Sequence, residues 1–283
     1  MQDYPELEII LVNDGSTDRS PEICAESARA DKRIHILNQK NAGCAASRNA
    51  GIAAAEGKYH RWKENGESVE SGSSLEDEEP DSIAFRFKGF FQSGSLSYDW
   101  GKLYRKDFLI EHELWVPQYT HAEDKAHNFR CCACEPKYAF VPQSIVLYRE
   151  NLQSVTFRPK KKLMQNWIQI ASDFEAFLKE RKIEKDYGDL MLFHLVIGAM
   201  YLAKEEMTYE GENVSVVRKL LKQYGSDPFV RKTLTIRNCL HYGVQIKSVF
   251  WKLLSFTLVS FLRIHAYGFL SAILVFMSRL GID

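Results

Sequence analysis

The chain has 283 residues, which is enough for one large domain or two smaller ones. Its 45% hydrophobic and 26% charged residues are typical of a globular protein and exclude a disordered one. Because 37 basic residues balance 37 acidic ones, no overall field favours nucleic acid as a partner. Six cysteines and no recognisable signal peptide predict reduced thiols in a cytoplasmic protein.

The first predicted strand covers residues 8–12, where four consecutive apolar residues run into Asn13-Asp14-Gly15-Ser16. Such a run, stopped by a tight turn, predicts a strand that is fully buried in a parallel sheet. A carboxylate at the carboxyl end of this strand lies where open α/β sheets bind ligands. Asp14 therefore suits the N–H of a base or the hydroxyls of a ribose. The alternative is an ordinary Asx turn, and the residues alone leave both interpretations open.

The next elements continue an α/β pattern. Residues 18–30 carry a modest apolar stripe and predict a helix, and residues 33–37 alternate well enough to predict a second strand. A loop over 38–43 then leads into residues 44–55, whose small side chains predict a helix packed closely on a sheet or a ligand.

The pattern breaks after Tyr59, where a further buried strand is expected. Residues 60–81 are polar, acidic and rich in glycine and serine, which predicts a surface loop or a mobile insert. Residues 82–87 alternate again and predict a strand. A short helix is expected within 100–109, and short strands are expected at 139–141 and 145–149.

From about residue 159 onwards the periodicity becomes helical. Apolar residues three and four apart predict helices over 163–181, 187–206 and 214–224. The stretch 249–277 is rich in aromatic and aliphatic residues, but Lys252 and Arg263 interrupt it, so its longest uncharged run is too short to span a bilayer comfortably. A pair of core helices and an interfacial membrane helix both remain open for this stretch.

Several motifs between residues 4 and 157 resemble those of the family 2 glycosyltransferases. The first block comprises Tyr4-Pro5-x-Leu7-Glu8-Ile9-Ile10-x-Val12-Asn13-Asp14-Gly15-Ser16-Thr17-Asp18, Asn41-Ala42-Gly43, Ser47-Arg48-Asn49-Ala50-Gly51-Ile52 and Ala55-x-Gly57-Lys58-Tyr59. The second block comprises Trp100-x-Lys102-Leu103-Tyr104-Arg105-x-Asp107-Phe108-Leu109, Glu123-Asp124 and Tyr148-Arg149-x-Asn151-x-x-Ser154-x-Thr156. The second block is typical of members that act on cell-surface polysaccharides or lipid-linked acceptors.

The resemblance implies the architecture. It predicts an α/β GT-A domain over 1–157, with a Rossmann-like, mostly parallel sheet and flanking helices, followed by an α-helical region over 158–283. It also implies a hexosyltransferase-type enzyme that uses a nucleotide-sugar, most simply a UDP-sugar, and a saccharide or lipid-linked acceptor. Nucleic acid is not among the implied partners. The expected location is cytoplasmic, with peripheral contact at the inner face of the cell membrane through 249–277.

The resemblance also assigns roles to single residues. Asp14 matches the acidic residue that contacts the nucleotide base, with Gly15 and Ser16 beside it, and Arg48 and Asn49 match the helix start beside the nucleotide. Asp124 matches the general base that deprotonates the acceptor hydroxyl, with Glu123 next to it. Trp100 and Tyr104 are candidates for stacking on an acceptor sugar, although aromatic core packing explains them equally well.

Two parts of the family pattern are absent from the sequence. The family's first strand, with its Pro-x-Tyr/Phe-Asn turn, has no counterpart before residue 4, and no Asp-x-Asp follows Tyr59 to hold the Mn²⁺ or Mg²⁺ that the family uses. Glu76-Asp77-Glu78-Glu79 follows no buried strand and is interpreted as a solvated charge run. The hypothesis is therefore a truncated transferase with weak or no activity. Alternatives are a remnant that binds nucleotide weakly and a module that docks on a membrane or a partner.

Two hypotheses place a metal site in the segment 121–134. His121 and Glu123 with Cys131-x-x-Cys134 resemble a zinc deaminase signature, but its two halves are very close together and Arg130 stands where proline is expected. His127 and the three nearby cysteines could hold a structural metal, although such sites usually use two separated ligand pairs. The simpler interpretation is that the cysteines pack as small hydrophobic residues.

Overall fold

The structure is a computed structural model that describes residues 6–60, 75, 78–139, 162–211 and 213–279. The chain divides into two compact units. Among the described residues, the N-terminal unit comprises 6–60 and 98–134, and the helical unit comprises 75, 78–97, 135–139 and 162–279. The predicted division into domains at residue 157 stays a prediction.

The N-terminal unit begins with a β-α-β-α sequence. Its elements are β1 (Ile9–Asp14), α1 (Ser20–Ala30), β2 (Ile34–Gln39) and α2 (Cys44–Ala54). The two strands are parallel, with Ile9 opposite Ile34 and Asp14 opposite Gln39. The parallel pairing and the four elements confirm the sequence predictions for this stretch, and the strand runs two residues further than expected, to Asp14.

The prediction that β1 is fully buried is wrong, because all six of its residues are only partly buried. In the described part of the chain this sheet has two strands, so β1 gains a neighbour along one edge only. The continuous apolar run correctly predicted a parallel strand, but it did not predict how much of the strand is buried.

The rest of the N-terminal unit is built from short elements. β3 (Tyr59–His60) pairs antiparallel with β4 (Tyr104–Arg105), and α4 (Lys106–Glu111) and α5 (Glu123–Cys132) follow. The short helix expected within 100–109 is confirmed in α4, which begins later than the motif does.

The helical unit contains nearly all of the remaining described structure. Its helices are α3 (Ile83–Phe87), α6 (Leu163–Arg181), α7 (Gly188–Glu210), α8 (Val214–Ser226), α9 (Pro228–Thr233), α10 (Ile236–Gly243), α11 (Val249–Arg263) and α12 (Tyr267–Arg279), and a π-helical turn covers Lys88–Gln92. The predicted helices at 163–181, 187–206 and 214–224 are confirmed, with ends that differ by at most four residues. α7 is buried along most of its length and forms the centre of the core.

The predicted strand at 82–87 is wrong, since these residues form α3. Ser82 caps the helix by accepting a hydrogen bond from the Phe85 N–H at 3.0 Å. The three consecutive residues Phe85, Arg86 and Phe87 are all buried, which a strand exposed on one face could not achieve. Alternation over six residues is too short a pattern to separate a strand from a helix buried on several sides.

Three sequence predictions lie outside the described residues: most of the loop at 60–81, the short strand at 139–141 beyond its first residue, and the strand at 145–149. Glu78 is described and forms an ion pair with Lys247 at 2.9 Å, so this member of the acidic run is not simply solvated.

The C-terminal stretch 249–277 forms two helices, α11 and α12, joined by a short turn at residues 264–266. Within the described residues, none of the helices combines the length and the apolar character that a membrane span requires.

Candidate functional site

Asp14, at the carboxyl end of β1, organises the loop that leads into α2. Its Oδ1 accepts hydrogen bonds from Gln39 Nε2 at 2.7 Å and from the Ala42 N–H at 2.9 Å, while its Oδ2 accepts from the Gly43 N–H at 2.8 Å. The hydrogen bond from Gln39, followed by that from Ala42, lowers the pKa of this carboxyl. Asp14 is thus an ionised acceptor that ties both strands to the start of α2.

Gly15 and Ser16 continue this turn. Ser16 donates its backbone N–H to Asn13 Oδ1 at 3.0 Å. Gly15 has φ +73°, and a Cβ at this position would lie 2.8 Å from the backbone nitrogen of Asn41. The glycine therefore permits both a left-handed backbone and a close approach of two chain segments.

We expect Gly15→Ala to destabilise the N-terminal unit by about 1–3 kcal/mol, because the new side chain meets a strained φ and a backbone atom that cannot move aside. Urea unfolding measures this loss. The matched control is Gly43→Ala, which also has a positive φ, +91°, but whose Cβ would meet no atom within 4 Å. An equal loss in both variants would contradict a role for the contact with Asn41.

Arg48 extends from α2 to two carboxylates of the same unit. Its guanidinium is 3.0 Å from Glu123 Oε1 and 3.6 Å from Asp99 Oδ2, and the side chain is only 11% exposed. Burial works against the charge, but the neighbouring Cys44, Asp99 and Glu123 raise the pKa of the guanidinium above its ordinary value. A buried cation therefore lies between two acidic side chains.

Glu123 and Asp124 occupy the first turn of α5, where the helix dipole favours negative charge. Burial raises the pKa of Asp124 to about 6, with Asp99 and Glu123 raising it further and Arg48 opposing them. The residue before this turn, Ala122, has a left-handed backbone with φ 60°, which is unusual for a residue with a Cβ. A carboxylate that titrates near neutral pH is suited to accept a proton.

A buried hydrogen-bond network connects Asp99 and Tyr104 to two residues of α5. Asp99 Oδ1 lies 2.9 Å from His127 Nδ1 and accepts a hydrogen bond from Asn128 Nδ2 at 2.8 Å. The Tyr104 hydroxyl donates to Asn128 Oδ1 at 2.8 Å. Among the described residues, Asp99 Oδ2 has no hydrogen-bond donor, and its nearest cation is Arg48. Asp99 is one of the neighbours that raise the pKa of Asp124.

Sequence reasoning missed Asp99, His127 and Asn128 as parts of this arrangement. Asp99 directly precedes the motif that starts at Trp100, but no sequence spacing relates it to a histidine 28 residues later. A polar residue predicted within the buried face of a helix is the signal that could have identified His127 and Asn128, because buried polar groups need partners.

The remaining predicted site residues make other contacts. Asn49 donates to the Val116 carbonyl at 2.9 Å and accepts from the Val116 N–H at 2.8 Å, so it fixes the chain before α5. Trp100 stacks on Tyr98 with ring centroids 4.7 Å apart. Tyr104 is buried, which favours the core-packing alternative for its ring. The nucleotide role of Asn49 and the acceptor role of Trp100 stay predictions.

The two principal predicted groups are connected through α2. Asp14 binds the backbone of Ala42 and Gly43 where this helix begins, and Arg48 lies about 6 Å further along the helix axis. From there Arg48 contacts Glu123, the neighbour of Asp124. The structure thus joins Asp14, Arg48, Glu123 and Asp124 in one unit.

The described residues do not fit the divalent cation that the family uses. No group of three potential ligands among histidine, cysteine, aspartate and glutamate is found in the described part of the chain. Asp99 and Glu123, the carboxylates nearest to Asp124, already face the guanidinium of Arg48, and Asp99 also faces His127. The two nitrogens of His127 lie against Asp99 and the Leu114 carbonyl, so neither zinc hypothesis gains support.

Residues 1–62 match the sequence model of a family described as glycosyl transferase family 2. EpsH of Bacillus subtilis (strain 168), named as a glycosyltransferase, is 26% identical over 289 residues, which cover 84% of this chain and 83% of EpsH. EpsJ of the same organism is 28% identical over 205 residues, covering 59% of this chain and 60% of EpsJ. GlyG of Streptococcus pneumoniae serotype 4 is 51% identical over 59 residues, 20% of each chain.

These similarities confirm the resemblance seen in the N-terminal motifs. The chain spans most of EpsH but less than two thirds of EpsJ. The short parallel sheet with flanking helices, followed by a helical region, is the architecture expected of an incomplete GT-A domain with a C-terminal extension.

Proposed function

Because residues 1–62 match the model of glycosyl transferase family 2, we propose that the chain transfers a sugar from a nucleotide diphosphate-sugar to a saccharide or lipid-linked acceptor in the synthesis of a cell-surface polysaccharide. The donor is most simply a UDP-sugar. In this proposal Asp124 is the general base, Arg48 and Glu123 position it, and Asp14 with Gly15 and Ser16 forms the nucleotide end of the site.

The observation that carries the proposal is the position of Asp124 in the first turn of α5, next to Glu123, whose carboxylate pairs with Arg48 of α2 at 3.0 Å. The pKa of Asp124, about 6, leaves it mostly ionised at neutral pH, yet basic enough to accept a proton from an acceptor hydroxyl. In the proposed step the hydroxyl oxygen bonds to the anomeric carbon, the bond from that carbon to the diphosphate breaks, and the hydroxyl proton passes to the Asp124 carboxylate.

Arg48 keeps this carboxylate in place without neutralising it. Its guanidinium lies 3.0 Å from Glu123, and this ion pair connects α2 to the first turn of α5. Burial makes the largest contribution to the raised pKa of Asp124, Asp99 and Glu123 add to it, and Arg48 opposes it. In the proposal these groups set the pH range in which the base works.

One observation favours a second candidate, a non-catalytic remnant that binds nucleotide weakly. Both oxygens of Asp14 accept hydrogen bonds from the chain itself, from Gln39, Ala42 and Gly43. A base or ribose would therefore share an acceptor that is already engaged, which reduces the affinity gained from this carboxylate.

Isothermal titration of the full chain with UDP, with and without Mn²⁺, tests the nucleotide site, and GDP serves as the control for the base. We expect saturable binding of UDP that exceeds binding of GDP. Tight binding that requires Mn²⁺ would exclude the remnant, and weak binding without a response to Mn²⁺ would favour it. The absence of binding under both conditions would contradict a nucleotide site.

A further inference from the structure

The last four helices combine exposed apolar side chains with a net positive charge. The whole chain is electrically balanced, but residues 228–282 contain no aspartate or glutamate. The same segment contains seven basic residues: Arg231, Lys232, Arg237, Lys247, Lys252, Arg263 and Arg279. This segment is therefore a strongly cationic part of a neutral protein.

Large apolar side chains on α11 form an exposed stripe. Val249, Leu253 and Phe256 are 67%, 63% and 41% exposed, and their spacing of four and three residues places them along one side of the helix. The buried residues of α11, such as Leu258 and Leu262, face the core instead. α11 thus carries aromatic and aliphatic groups on its outer side as well as on the side that faces the core.

Exposed apolar side chains also occur on α12, which contacts α11 through a pair of rings. Phe269 is 74% exposed and stacks on Phe261 of α11, with centroids 6.3 Å apart. Phe276, two turns further along α12, is 60% exposed. Leu240 of α10, which packs against α11, and Val244, directly after α10, are also exposed. We call these exposed side chains of α10, α11 and α12 the apolar face.

Three cations adjoin the apolar face. Lys252 and Arg263 are eleven residues apart and so lie on one line of α11, next to the line of Phe256. Arg237 lies two turns before Val244 on the exposed side of α10. Within the described residues, no carboxylate forms an ion pair with Arg237, Lys252 or Arg263. Their charges therefore remain available to an anionic partner.

We propose that the apolar face docks on the surface of an anionic lipid bilayer. Aromatic and aliphatic side chains enter the interface between headgroups and acyl chains, while Arg237, Lys252 and Arg263 contact lipid phosphates. A second copy of this chain is a poorer occupant, because its own apolar face would bring cations against cations. The proposal is independent of sugar transfer, since it involves no nucleotide and no residue of the N-terminal unit.

Sedimentation of the full chain with vesicles tests the proposal. We expect binding to vesicles of phosphatidylglycerol and phosphatidylcholine in equal amounts, weaker binding in high salt, and binding to pure phosphatidylcholine that is weaker by about tenfold or more. Phe250 of α11 is 54% exposed and Phe269 of α12 is 74% exposed, so both rings belong to the apolar face. The double variant Phe250→Ser with Phe269→Ser should lose about tenfold or more of the affinity, since each ring loses a buried contact with lipid.

Two controls make the result decisive. Ile23→Ser removes a 53% exposed apolar side chain from α1 and should bind vesicles as the unaltered chain does. Lys252→Gln with Arg237→Gln should retain binding to phosphatidylcholine but lose the preference for phosphatidylglycerol. Equal binding by the double phenylalanine variant, with an unchanged circular dichroism spectrum, would overturn the proposal. Self-association that this variant abolishes, without vesicle binding, would overturn it as well.

Discussion

Replacement of Asp124 by asparagine is expected to lower kcat/KM for sugar transfer by about 10²- to 10⁴-fold, because the amide cannot accept the proton of the acceptor hydroxyl. Transfer is measured as release of nucleoside diphosphate in the presence of acceptor. The matched control is Asp107→Asn, which alters an exposed carboxylate of the same unit that pairs with Arg105. Equal activity in the Asp124 variant would contradict its role as the base.

The pH profile of the unaltered chain provides a second readout. Since Asp124 has a pKa of about 6, kcat/KM should fall as the pH drops below 6 and level off above 7. Glu123→Gln removes one of the charges that raise this pKa, so the acidic limb of the profile should move to lower pH. A limb that stays in place would mean that another group controls it.

The stability of the Asp124 variant separates a catalytic role from a structural one. A carboxyl whose pKa is higher in the folded protein than its ordinary value of 3.8 binds a proton more tightly when folded, so its contribution to stability falls as the pH rises from about 4 to about 6. At pH 7 Asp124→Asn should therefore be as stable as the unaltered chain or more stable, by up to about 3 kcal/mol. Loss of activity together with loss of stability would indicate a structural role instead.

The sequence was a good guide where a long period or a family motif constrained it. Nineteen residues of regular spacing were sufficient to place α6 with both ends correct. Six alternating residues were not sufficient at α3, where burial of consecutive side chains decided the conformation. The apolar run of β1 correctly predicted a strand in a parallel sheet. It could not predict how deeply the strand is buried, because burial depends on segments that are distant in the chain.

The candidate site could also be predicted only in part from the sequence. Motifs identified Asp14, Arg48, Glu123 and Asp124 individually, and the structure brings the last three together through the ion pair from Arg48 of α2 to Glu123 in the first turn of α5. Asp99 could not be predicted, since its importance comes from partners that are 28 and 29 residues away and from its burial. The contacts that tune a pKa are tertiary, so residue types alone did not reveal them.

Replacement of Arg86 by methionine is expected to cost about 3–5 kcal/mol of the stability of the helical unit. Arg86 donates from Nε to Asp189 Oδ2 at 2.9 Å and from an NH2 group to Asp189 Oδ1 at 2.7 Å, and both side chains are buried. It also donates to the carbonyls of Asp186 and Asp81. Burial raises the pKa of Asp189 although Arg86 lowers it, so the charged carboxylate depends on the Arg86 guanidinium.

Urea unfolding of three variants tests this dependence. Arg86→Met leaves the Asp189 carboxylate buried without its partner, whereas Arg86→Met with Asp189→Leu removes both charges and should recover most of the loss. Lys179→Met is the control within the same unit, because it breaks the exposed pair with Glu175 at 2.6 Å and should cost no more than about 1 kcal/mol. If the double variant were as unstable as Arg86→Met alone, the loss would come from the carbonyl contacts of Arg86 and its packing on the Tyr187 ring, 4.8 Å away, rather than from the uncompensated charge.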